Sequence, residues 1–75
     1  MASKKVNQGR KELGTKLKAA REKAELTQAE VASASGVNVN YYARIERGEE
    51  NPSYEKLTKI MKALEIKSLD VSSKS

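Results

Sequence analysis

The chain has no cysteine and no histidine, one proline, and only three aromatic residues, all tyrosine. Disulfides, the usual zinc sites and imidazole catalysis are therefore excluded. No apolar run approaches the roughly 18 residues of a membrane span, and the N-terminus lacks the apolar core of a signal peptide. These absences fit a cytoplasmic protein with no membrane partner. A glycine-rich phosphate loop is missing, as is the spaced Asp/Glu set of a calcium loop. Adjacent Glu49 and Glu50 cannot converge on one substrate as a paired acid and base must. The sequence thus gives no footing for an enzyme, a small-molecule substrate, a metal or a cofactor.

What is present is charge. The 75 residues carry a net charge of +5, unevenly placed. Residues 1–24 hold eight Lys or Arg against Glu12 and Glu22, a net of +6, whereas residues 25–66 hold five basic and seven acidic side chains, a net of −2. Basic excess favours polyanions, and its location marks the arm and first helix as the phosphate-facing side. A chain this short makes one small domain with little burial to spare.

Residues 1–9 are polar, carry Lys4 and Lys5, and show no period. They are expected to form a flexible basic arm, either simply solvated or tracking a DNA groove. From Arg10 to Ala24 the spacing of Leu13, Leu17, Ala20 and Ala24 makes the stripe of a first amphipathic helix, with Lys11, Lys16, Lys18 and Lys23 off it. Thr27 followed by Glu30 is a capping box that opens a second helix, in which Val31 and Ala32 face inward. Gly36 suits the left-handed residue that ends it. Asn38 caps a third helix with inward Tyr42 and Ile45. Glu49 to Pro52 reads as a loop, and Ser53 caps a fourth helix with Leu57, Ile60, Met61 and Leu64 on its buried stripe. The domain should span residues 10–69, leaving 70–75 as a frayed tail. The predicted fold is all-α, with four or five helices. Its second and third, joined by a short turn with a glycine, make a helix-turn-helix.

The stretch Gln28 to Arg47, QAEVASASGVNVNYYARIER, also resembles the helix-turn-helix of the phage-repressor and Cro family (lambda-repressor-like, or XRE). The matching positions are Gln28, Ala32, Gly36, Val37, Tyr42 and Ile45, continued by Glu46, Gly48, Pro52 and Ser53. The resemblance runs from about Leu13 to Leu64. It implies a bacterial or phage-encoded regulator of transcription, a repressor or controller protein, that binds double-stranded DNA as a homodimer on a palindromic site. In a helix-turn-helix the second helix of the motif enters the major groove. Its outer face here offers Val39, Asn40, Ala43 and Arg44. Asn can pair bidentately with adenine and Arg with guanine, while Val and Ala can meet a thymine methyl.

Candidates for phosphate contact are Gln28, whose family counterpart has that role, and Asn38, Tyr41, Arg47, Lys16 and Lys18. Tyr41 could instead cover Ile45. The family implies an ion pair between Arg21 and Glu46, and dimer contacts around Leu64, Ile66 and Leu69. Tyr42 replaces the family's branched aliphatic, so its ring is expected to tilt and carry its hydroxyl to the surface. Tyr54 is expected to lie as a lid on the core. The rival reading is the same fold used as a protein-interaction adaptor or coactivator.

Overall fold

Four helices make up the computed structural model, which describes the backbone of residues 2–74 and the side chains of residues 9–65. They are α1 (Ala2–Lys23), α2 (Gln28–Ser35), α3 (Val39–Glu46) and α4 (Tyr54–Lys74). Among the described residues there is no strand, and no helix is long and apolar enough to cross a membrane.

The helix starts obey local chemistry. The Thr27 hydroxyl accepts from the Glu30 amide at 3.0 Å, and the Glu30 carboxylate accepts from the Thr27 amide at 2.8 Å. That reciprocal pair satisfies two amides that would otherwise lack partners. Asn38 caps α3 through its side-chain oxygen, and the Ser53 hydroxyl accepts from the Lys56 amide in the first turn of α4.

The helix ends share one device. After α1, α2 and α3, an amide reaches back five residues to a carbonyl: Leu26 to Arg21, Val37 to Ala32, and Glu49 to Arg44. This closure puts the preceding residue in the left-handed region. Gly36 and Gly48 occupy it at φ 71° and 77°, which a residue without Cβ does freely. After α1 the residue is Glu25, at φ 59°.

The core gathers Leu17, Val31, Ala32, Tyr42, Ile45, Ile60 and Leu64, with Leu13, Leu26, Val37, Tyr41 and Leu57 packed around it. Burying each large aliphatic among them contributes about 1.5–3 kcal/mol. Gly14 lets α1 and α3 approach closely, since a Cβ there would collide with the carbonyl oxygens of Ile45 and Glu46.

Several expectations are corrected here. α1 begins at Ala2, running through the boundary placed between an arm and a helix near Arg10. No proline interrupts that stretch, and Gly9 weakens a helix by about 1 kcal/mol without stopping it. At the other end, α4 runs to Lys74, past the expected fraying point, since neither Gly nor Pro follows Glu65. Ala20 and Met61 are exposed. Gly14 and Ala63 are buried in their helices, so the inward stripes are slightly rotated from those the apolar spacing predicts. Tyr54 is 86 % exposed and covers nothing. It stands in the first turn of α4, where the chain has only just left the loop, and its ring points to solvent.

Candidate nucleic-acid interface

The first thing a surface helix needs is an anchor. Arg21 Nε donates to Glu46 Oε2 at 2.7 Å and Nη2 to Oε1 at 3.1 Å, a two-pronged pair linking α1 to the end of α3. The third nitrogen, Nη1, donates to the Leu26 carbonyl at 2.8 Å. From the head of α2, Gln28 Nε2 donates to the same carboxylate at 2.9 Å. Side-chain exposures of 12 % for Arg21 and 3 % for Glu46 make this a buried pair with its hydrogen-bonding capacity largely used. Three helices therefore meet on one carboxylate.

The electrostatics follow. Burial pushes the Glu46 carboxyl up, but the hydrogen bonds from Arg21 and Gln28, with the Tyr42 hydroxyl close by, outweigh it and hold the group below its ordinary range. The bond to Glu46 raises Arg21 further above its already high value. Tyr42 is 0 % exposed. Its hydroxyl faces this cluster without a hydrogen bond of good geometry, and burial, followed by the Glu46 carboxylate, raises its pKa. The expected route of that hydroxyl to the surface is thus corrected. The ring is swallowed whole because its polar end has an ionic cluster to approach inside the domain.

On the other side of α3 lie the residues with recognition chemistry. Val39, Ala43 and Arg47 follow one another at spacings of four, as do Asn40 and Arg44, so all five share one face. Val39, Asn40, Arg44 and Arg47 are exposed, and Ala43 is half-buried. The helix is only eight residues long, and its direction is fixed by Tyr42, Ile45 and Glu46 beneath it. Both arginines meet loop carboxylates. Arg44 Nη2 lies 3.3 Å from Glu50 Oε2, and Arg47 Nη2 lies 3.1 Å from Glu49 Oε1. The hydrogen bond from Arg47 holds the Glu49 carboxyl below its ordinary value.

The remaining candidates divide. Asn38 accepts from the amides of Asn40 and Tyr41, so its oxygen is occupied and its side-chain amide nitrogen is left as the donor for a phosphate. Tyr41 packs against the core, and the Lys56 ammonium sits 4.6 Å from its ring centroid, a cation–π contact. Gln28 is half-buried and tied to Glu46. Lys16 and Lys18 are exposed on α1. Leu64, expected at a dimer contact, is buried in the domain's own core. Its partners in that expectation, Ile66 and Leu69, have side chains outside the described residues.

The fold and its anchored, polar-faced third helix define a helix-turn-helix domain. The family model described as helix-turn-helix matches residues 17–71, most of the chain. The chain belongs to that family, in its XRE branch of Cro and repressor type, and is a DNA-binding domain. A comparison with curated proteins finds no match.

Two features escaped the sequence. Glu49 and Glu50 read as loop acids of no consequence, yet Glu50 meets Arg44 of α3 and Glu49 meets Arg47, which caps its end. The signal was Gly48, because a left-handed residue at a helix end turns the chain back over the last turn. The contact of Gln28 with Glu46 was equally unforeseen, since 18 positions separate the two.

Proposed function

We propose that the protein is a sequence-specific regulator of transcription, a repressor or controller, that lays α3 in the major groove of double-stranded DNA. The observation carrying this reading is the opposition of two faces on α3, one locked by Tyr42, Ile45 and Glu46 and the other presenting Val39, Asn40, Ala43 and Arg44. A rigid short helix with a polar outer face can be read against base edges, whereas a mobile one cannot hold register. Arg44 takes a guanine, Asn40 an adenine, and Val39 and Ala43 pack on thymine methyls. Phosphate contacts fall to Gln28, Asn38, Tyr41, Arg47, Lys16 and Lys18, and such contacts position a protein on the duplex without reading its sequence.

One recognition helix touches too few base pairs for useful discrimination, so two copies act together on a palindromic operator. With Leu64 committed to the core, the two-fold contact uses α4 through Ile66 and Leu69. The experiment is selection of binding sites from random duplex DNA, followed by sedimentation on the best site over a range of salt. The expected result is a symmetric site, two chains per duplex, and affinity that falls steeply with salt. Binding to a protein partner with weak salt dependence and no sensitivity to Arg44 would establish the adaptor reading instead.

A further inference from the structure

The loop after α3 places two acids beside a surface whose ligand is a polyanion. Gly48 takes the left-handed conformation, and the Glu49 amide bonds back to the Arg44 carbonyl at 2.8 Å. That closure returns the chain over the last turn of α3. Pro52 is buried just beyond, fixing where the loop rejoins the core. Glu50 is thereby carried to within 3.3 Å of the Arg44 guanidinium, six positions earlier in sequence. Carboxylate and guanidinium are 30 % and 52 % exposed, respectively, so both stand at the rim where DNA must approach.

An unpaired arginine at that rim would take any phosphate in reach. Such a contact adds affinity on every sequence and so erodes discrimination. We propose that Glu50 is a specificity-determining residue, which holds Arg44 off the phosphate backbone and yields it only to a guanine edge. A phosphate near Arg44 meets the Glu50 carboxylate as well, and like charges repel. Guanine N7 and O6 carry no net charge, accept two parallel hydrogen bonds, and suffer far less from the neighbouring carboxylate. Glu50 thus acts by subtraction, removing one sequence-blind contact while leaving the base contact in place. This inference rests on the DNA-binding reading above and assigns a role to a residue outside the recognition helix.

The test uses the full chain, the best selected duplex and a scrambled duplex of equal length. Wild type, Glu50→Gln, Arg44→Ala and the double variant are titrated across a range of salt. Glu50→Gln should bind the scrambled duplex about two- to fivefold more tightly, the range expected for releasing an exposed ion pair. Its salt dependence on that duplex should steepen by about 0.9 in logarithmic slope, one additional phosphate contact. Affinity for the selected site should change less, so the ratio of the two falls. In the Arg44→Ala background the added slope should vanish. If the same gain persists without Arg44, Glu50 acts only through bulk charge and the proposal is overturned. A loss confined to the selected duplex would overturn it in the other direction, making Glu50 a prop for Arg44. Absence of salt-dependent binding by the wild-type chain to either duplex would overturn the DNA-binding reading itself, and the role of Glu50 with it.

Discussion

Arg44 and Glu46 lie two positions apart on α3, and each belongs to an arginine–glutamate pair, yet the two pairs live in different media. The Arg21–Glu46 pair is two-pronged, nearly dry, and supplied with further hydrogen bonds from Gln28 and to the Leu26 carbonyl. The Arg44–Glu50 pair is a single 3.3 Å approach in partial contact with solvent. In the first, neither charge can leave without stranding the other in a poor dielectric. In the second, water and counterions can substitute for either partner at little cost. Identical side-chain chemistry therefore makes a structural rivet on one face of the helix and a releasable hand on the other. What separates them is desolvation and the number of hydrogen bonds, not charge.

The largest effect should come from breaking the rivet. Arg21→Ala or Glu46→Ala should each destabilise the domain by about 3–5 kcal/mol, because the survivor is left buried and unpaired. That is a large fraction of the stability of any small domain. The double variant should lose less than the sum in urea denaturation, and additive losses would show that the two charges are independent. The same pair sets the acid limit. Glu46 has a folded pKa below its ordinary 4.5, so the unfolded chain binds more protons in that window. Its contribution is complete above 4.5 and is lost as pH falls through the lowered folded value. Unfolding midpoints should drop in that window for wild type and flatten in Glu46→Gln. Glu49→Gln should flatten that slope much less than Glu46→Gln, because the pair that lowers Glu49 is exposed and weakened by solvent.

Gly14, two turns before Arg21 on α1, supports the same seam between α1 and α3. Gly14→Ala should raise helix propensity by about 1 kcal/mol in isolation. In the folded domain it should instead cost about 1–3 kcal/mol, because the new Cβ forces α1 from the carbonyls of Ile45 and Glu46. A thermal midpoint at or above that of wild type would mean that α1 and α3 are less closely packed than described.

The releasable hand is tested on DNA. Arg44→Ala should cost about 1–3 kcal/mol on the selected site and much less on scrambled duplex, with preference relaxed at one or two base pairs. Equal losses on both duplexes would demote Arg44 to a phosphate contact and remove the functional half of the contrast.

The architecture was legible in the sequence where chemistry is local. The Thr27–Glu30 box, the Asn38 and Ser53 caps and the Gly36 turn lie within a few residues of their partners, and each is where it was expected. The helix-turn-helix and its inward Tyr42 and Ile45 were legible for the same reason. The Arg21–Glu46 pair spans 25 positions and was reached only through family resemblance. Contacts with neither a local period nor a family pattern stayed invisible. Gly14 shows no sign in its own helix that another backbone crosses it. Tyr42 departs from its expected tilt because a hydroxyl ordinarily seeks water, whereas here a buried ionic cluster lies nearer. Met61 reads as core because apolar residues at helical spacing usually are, and Tyr54 as a lid because it follows Pro52 and Ser53 at the helix start, yet α4 turns both outward.

The smallest effect should be the stability cost of opening the exposed pair, and it discriminates most finely. A thermodynamic cycle over Arg44→Ala and Glu50→Ala, read by urea denaturation without DNA, should give a coupling of about 0.2–1 kcal/mol. Raising salt to about 1 M, where screening acts within roughly 3 Å, should remove most of that coupling. The cycle over Arg21 and Glu46 should keep most of its coupling in the same buffer, since ions cannot enter between buried partners. The smallness matters, because on the proposed reading Arg44 leaves Glu50 for a guanine, and a pair held by several kcal/mol would forfeit what the base contact supplies. A coupling near that of the buried pair, insensitive to salt, would mean that Arg44 is structurally locked. Base recognition would then have to rest on Asn40 and Val39 instead.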